Sequence, residues 1–146
     1  MKKEVNDNLV NGIPDMWSLR TLSAAEEDDS YSLGFGAFAQ GHDTRASGSH
    51  AHSEGNNSNA TGSNSHAEGM STTANGQDAH AEGSNTRSDG IASHAEGSLT
   101  YAKGDHSHAE GACTRSIGSS SHAEGCGSIA QGAYSHASGN REQQTT

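Results

Sequence analysis

Histidine and glutamate recur along this chain at a spacing that could support catalysis, metal binding or ion pairing. His52, His66, His80, His94, His108, His122 and His136 lie fourteen residues apart. Glu54, Glu68, Glu82, Glu96, Glu110 and Glu124 each follow two residues after one of them. Ser65, Ser93, Ser107, Ser121 and Ser135 each precede a histidine directly. Serine, histidine and a carboxylate are the parts of a nucleophilic triad. Imidazole and carboxylate are also ligands for a divalent metal. His50/His52 and His106/His108 add two His-x-His pairs, a weak metal signal alone.

Catalysis is the reading that the spacing disfavours. Adjacent residues of a strand point to opposite faces, so each serine is turned away from the histidine that follows it. Seven near-identical copies argue for architecture over one tuned active site. The sequence has no phosphate loop, zinc-protease helix or dinucleotide fingerprint. We expect a non-enzymatic protein.

The elements that hold these residues follow from glycine. From Gly34 to Gly139, glycine occupies every seventh position, sixteen times without a miss. Gly12, Gly36 and Gly127 fall outside that register. A period this strict means one small unit stacked on itself. We letter each heptad a to g, ending in glycine. Position c is Ser, Thr or Ala throughout, and position e is Ala or Ser. Positions d and f carry the large and charged side chains. This is period-two alternation, so each heptad predicts a short strand from c to f and then a turn at g. Every second heptad reads Ser-His-Ala-Glu-Gly or nearly so, and those between vary, so the full period is fourteen.

A helix would lose about 1 kcal/mol at each glycine. Collagen needs glycine at every third residue, and a coiled coil needs large apolar a and d positions. A parallel β-solenoid of fourteen-residue coils remains, with c and e packed inward, d and f outward, and glycine serving the turns. About eight coils at roughly 4.8 Å would give a rod about 35–40 Å long.

The intact Ser-His-Ala-Glu-Gly copies at 65–69, 93–97, 107–111 and 121–125, each with its second Ala-x-Gly half, resemble the YadA-like head of trimeric autotransporter adhesins. Similar arrays look like those of phage tail and Gram-positive surface proteins. The resemblance covers residues 28–139. It implies an all-β, left-handed parallel β-roll and a side-by-side homotrimer. It also implies that the first-half d and f positions, here the histidines and glutamates above, face the threefold axis. In the family those positions are Val and Ile, so an apolar trimer core becomes a polar one.

Three uses of this ladder stand open. Histidine and glutamate pair within or between chains as an assembly face, with the carboxylate raising the histidine pKa. Or the rings hold a divalent metal or an anion on the axis. Or the face is solvated and binds a ligand or glycan. On the assembly reading, the second-half d positions Arg45, Asn59, Thr73, Arg87, Tyr101, Arg115 and Ile129 form a possible ligand face, because they differ from coil to coil.

The formal charge of −10 argues against nucleic acid and anionic membrane as partners. Apolar residues are 29 % of the chain, so stability must rest on backbone hydrogen bonds, small-residue packing and oligomerisation. No secretory signal or membrane span is visible. The expected role is a structural or adhesive module of a surface or fibre protein, on a cell, virion or spore, meeting a host surface, glycan or protein receptor. No cofactor is required. Residues 1–27 form a cap or anchor, with a short helix expected over 15–25, and residues 140–146 a polar tail. Cys113 and Cys126 are nearly one coil apart. They are open to two readings, unrelated turn thiols or a bridge.

Overall fold

The computed structural model describes residues 19–20, 31–32 and 34–140. The chain winds as a parallel β-solenoid with fourteen residues per coil, and no helix occurs among the described residues. Two parallel sheets run its length. The nine-stranded sheet carries the histidines, from Leu19–Arg20 and Phe38–His42 through His52–Asn56 and its successors to His136–Ala137. The eight-stranded sheet runs from Tyr31–Ser32 through Arg45–Ala46 to Ile129–Ala130. Register is strict: His66 pairs with His80, Glu68 with Glu82 and Gly69 with Gly83. Each coil donates to the next through bonds such as His66 N to the Ala79 carbonyl, 2.9 Å, and Thr73 N to the Thr86 carbonyl, 3.0 Å.

Small residues fill the lumen, as the alternation requires. Alanines such as Ala67, Ala81, Ala95 and Ala109 are fully buried, and so are Thr44, Thr72 and Ser88. Alanine and hydroxyl groups suffice because the two sheets face each other across a space too narrow for larger side chains.

The position-g glycine meets the expected need for unusual backbone angles in the histidine half of each coil, with φ from 95° at Gly125 to 127° at Gly41, and position b meets it at the turns. At those turns the residue that takes the left-handed backbone is position b, with φ of 50–58° at residues such as Asp43, Asn57, Asn64, Asp78 and His106. Asn and Asp tolerate this region best among the non-glycine residues. Gly36 and Gly127, two of the glycines outside the heptad register, occupy this same position. From Gly34 to Gly125 the position-g glycines of both halves are also fixed by close approach between coils. A Cβ on Gly76 would lie 1.9 Å from the Gly90 carbonyl oxygen, and one on Gly83 2.2 Å from that of Gly97.

The two corners of a coil also differ. In the histidine half the strand runs on through glycine, as in His66–Met70, with Gly69 at φ 110°. In the other half the glycine opens a four-residue turn, closed for example by Ala51 N donating to the Gly48 carbonyl at 3.2 Å. The serine of Ser-His-Ala-Glu-Gly locks that turn. Ser65, Ser93 and Ser121 donate their hydroxyls to the Gly62, Gly90 and Gly118 carbonyls at 2.6–2.7 Å.

The helix expected over 15–25 is corrected at Leu19–Arg20. These residues form a strand that adds to the edge of the histidine sheet, Leu19 opposite Phe38. The backbone groups on that edge favour addition of another strand. The other expectations for residues 1–27, and the tail at 141–146, lie outside the described residues.

Candidate functional site

Because register is exact in sequence, the histidines stack into a column. From His52 to His136 successive ring centroids lie 4.7–4.9 Å apart, with planes within 15° of parallel. Phe38 continues the column at its first coil, 5.2 Å from His52. The glutamates form a parallel row beside it. Glu68, Glu82, Glu96 and Glu110, with the glycines that follow them, line an open trough of about 430 Å³. Gln40, Glu54 and Glu68 line its continuation toward the first coil. Glycine makes the floor of the trough, so nothing bulky stands between the carboxylates and the backbone.

Each histidine reaches back toward the carboxylate of the preceding coil. His66 Nε2 lies 3.9 Å from Glu54, His80 3.7 Å from Glu68, His94 3.9 Å from Glu82 and His108 3.5 Å from Glu96. Only toward the last coils does the contact tighten, to 2.9 Å for His122–Glu110 and 3.3 Å for His136–Glu124. The ladder is half-buried, so these contacts are partly screened by solvent.

The electrostatics reverse one expectation. The upward pull of the carboxylates on His66, His94 and His108 is outweighed. Burial first, and then the neighbouring imidazoles, hold all three below the ordinary histidine value, and the nearby glutamates do not compensate. Neighbouring carboxylates also act on one another. A hydrogen bond shared with Glu82, helped by burial, pushes Glu68 and Glu96 up to about 7. Glu82 sits between them and is lowered by the same two bonds, the one with Glu96 foremost. Glu110 is lowered too, first by its bond with His122. From Glu68 to Glu110 raised and lowered carboxylates thus alternate, which relieves the repulsion of a fully charged column.

The second-half d positions lie on the other sheet. Arg45, Arg87 and Arg115 are exposed, whereas Asn59, Thr73, Tyr101 and Ile129 are half-buried. The sequence reading missed a polar hub on this sheet. Asp89 accepts both bonds from Arg87 Nε, at 2.8 and 2.9 Å, one from Tyr101 Oη at 2.7 Å and one from Asn75 at 2.8 Å. Thr61 continues the chain by donating to Asn75 at 2.8 Å. Burial pushes the Asp89 pKa up, but the bonds from Arg87, Tyr101 and Asn75 together bring it below its ordinary value. The signal available in sequence was that Thr61, Asn75 and Asp89 share one heptad position, so their side chains stack.

Serine and histidine of each repeat part company as expected. Ser93 is buried in the lumen, its hydroxyl committed to the Gly90 carbonyl, while His94 looks outward. Cys113 and Cys126 are free and exposed, which settles the two readings in favour of separate thiols. Among the described residues, no helix is long and apolar enough to cross a membrane. No family model matches the chain, and no curated protein matches it.

Proposed function

We propose that the chain is a rigid structural module of a surface or fibre protein, used for attachment rather than catalysis. Three left-handed rolls stand side by side, each presenting its histidine–glutamate face to the others. The eight-stranded sheet faces outward to a glycan or protein receptor on a host surface. The reading places the module on a cell, virion or spore exterior, without membrane insertion and without nucleic acid.

One observation carries this reading. Two faces stand on nearly the same backbone, yet one repeats a single residue pair through six successive coils, from His52/Glu54 to His122/Glu124, and the other changes at every coil. Repetition suits a contact between identical copies, where each level must meet the same level of a neighbour. Variation suits a contact with something non-periodic. A single thin roll with an alanine and serine lumen also buries little apolar surface, and self-association would add to it.

Mass in solution by light scattering, at about pH 8 and about pH 5, tests the assembly. The expected result is a species of three times the 15.0 kDa chain. A stable single chain under both conditions would overturn the assembly face. Attachment is tested separately by binding to a glycan array. Exchange of Arg87 and Tyr101 for alanine should abolish the signal, while exchange of His94 should not.

A further inference from the structure

The histidine–glutamate face holds atoms that neither stacking nor assembly uses. The Nε2 atoms of His52, His66, His80, His94 and His108 are sealed from solvent and have no hydrogen-bond partner. Each nevertheless faces a carboxylate oxygen at 3.5–3.9 Å. A hydrogen bond between these groups would need about 2.7–3.2 Å. Two ligands of one tetrahedral metal, bound at about 2.05 Å, stand about 3.3 Å apart. The observed gaps are wide for a proton and close to the size of a shared cation.

The geometry points to a row of divalent transition-metal sites between successive coils of one chain, each built from imidazole Nε2 and carboxylate oxygen. Three triads share no residue: His52–Glu54–His66, Glu68–His80–Glu82 and His108–Glu110–His122. Within each, the ligand atoms lie within 4.8 Å of one another. Closing them onto an ion requires rotation of the glutamate side chains and, in the two triads with paired histidines, a tilt of rings now stacked at 4.7–4.8 Å. Glu68, Glu82 and Glu110 also line the open trough, so the carboxylate side of two of the triads borders solvent.

The donor set selects the ion. Mixed nitrogen and oxygen ligands suit zinc, cobalt, nickel and copper, whereas calcium and magnesium take shells of oxygen. Metal needs the neutral imidazole and the ionised carboxylate, so binding should weaken as pH falls. The sites lie within one chain and do not depend on the trimer. Metal retention by a single chain separates the two ideas, because an ion on a threefold axis needs all three chains.

The test uses the full chain, made without a histidine tag and stripped with chelator. It is dialysed against zinc, or separately against calcium, then passed through a sizing column and its metal content counted. Between one and three zinc ions per chain are expected, with calcium not retained. Cobalt in place of zinc should give the strong visible absorption of a low-coordinate nitrogen–oxygen site. The variant E54Q/E82Q/E110Q takes one carboxylate from every triad and should lose most of the zinc. The variant H42N/H50N/H106N alters only histidines off the ladder and should keep it all. Less than one zinc per chain would overturn the proposal, as would equal retention of calcium or loss of zinc from the off-ladder variant. If the glutamine variant does not fold, the cobalt spectrum of the unaltered chain decides: a spectrum of fully hydrated cobalt rejects the sites.

Discussion

The two sheets of this solenoid stack in the same register and share one lumen, yet they treat charge in opposite ways. On the histidine sheet, like residues face like residues from His52 to His136, and Glu68 and Glu96 are pushed up to about 7 by bonds shared with Glu82. On the other sheet, unlike residues meet, and Asp89 gathers Arg87, Tyr101 and Asn75 into one hub. Register alone does not decide whether a stacked column is tolerable. What decides is whether the stacked group can carry a variable number of protons. Glu68 and Glu96 are raised to about 7, so this part of the column can change its charge near neutral pH. Arginine cannot, and on the second sheet Arg45, Arg87 and Arg115 never occupy adjacent coils.

The comparison can be broken most severely at the shared backbone. In Gly83→Ala the new methyl group meets the Gly97 carbonyl oxygen at 2.2 Å, on a backbone at φ 104°. A loss of at least about 4 kcal/mol is expected, enough to unfold the neighbouring coils. Gly132→Ala meets nothing nearer than 3.7 Å and should be nearly neutral. Chemical denaturation of the two variants checks this, and equal stability would remove the close-approach account of the repeat.

The shared lumen comes next. Ala95→Val inserts two methyl groups into a fully buried position and should cost about 1–3 kcal/mol by overpacking. The same change at Arg115, which is exposed, should stay within about 0.5 kcal/mol. The hub is a feature of the second sheet alone. Asp89→Ala removes an acceptor that holds three side chains and should cost about 1–2 kcal/mol. A cost no greater than that of Arg115→Ala would show that the hub adds nothing.

The pH response is the smallest effect and the one that separates the sheets most cleanly. Glu68 and Glu96 have folded pKa values of about 7, raised from 4.5. Between those values the folded chain holds protons that the unfolded chain has released. Stability from these groups is therefore fully present below 4.5 and is lost as pH rises through about 7. His66, His94 and His108 act in the other direction. Their folded values lie below 6.5, so their penalty develops only as pH falls beneath 6.5. Melting temperature should fall between about pH 6.5 and about pH 8, and E68Q/E96Q should flatten that slope. A wild-type melting point that rises across the window would contradict proton sharing along the carboxylate row.

The sequence by itself determined the solenoid, the fourteen-residue coil and the inward and outward faces. Glycine at every seventh residue with small residues at c and e leaves no other regular fold, because the alternation has period two and the lumen admits nothing larger than threonine. It also placed His52 through His136 in one column, since strict periodicity and parallel register put identical residues on top of one another. Three things were decided only in three dimensions. The position-g glycines are needed because the next coil's carbonyl passes within bonding distance of where a Cβ would sit, and a contact between residues fourteen apart has no local signature. The left-handed turns fell to position b, where Asp43, Asn57 and Asn64 announce them but Leu99 and Tyr134 do not. The charge of the ladder depended on burial and on which carboxylates lie within reach of one another. Those are distances set by packing, so the charged residues suggested the histidine–glutamate pairing that the folded chain shows at 2.9–4.0 Å, but not which carboxylates are raised and which lowered.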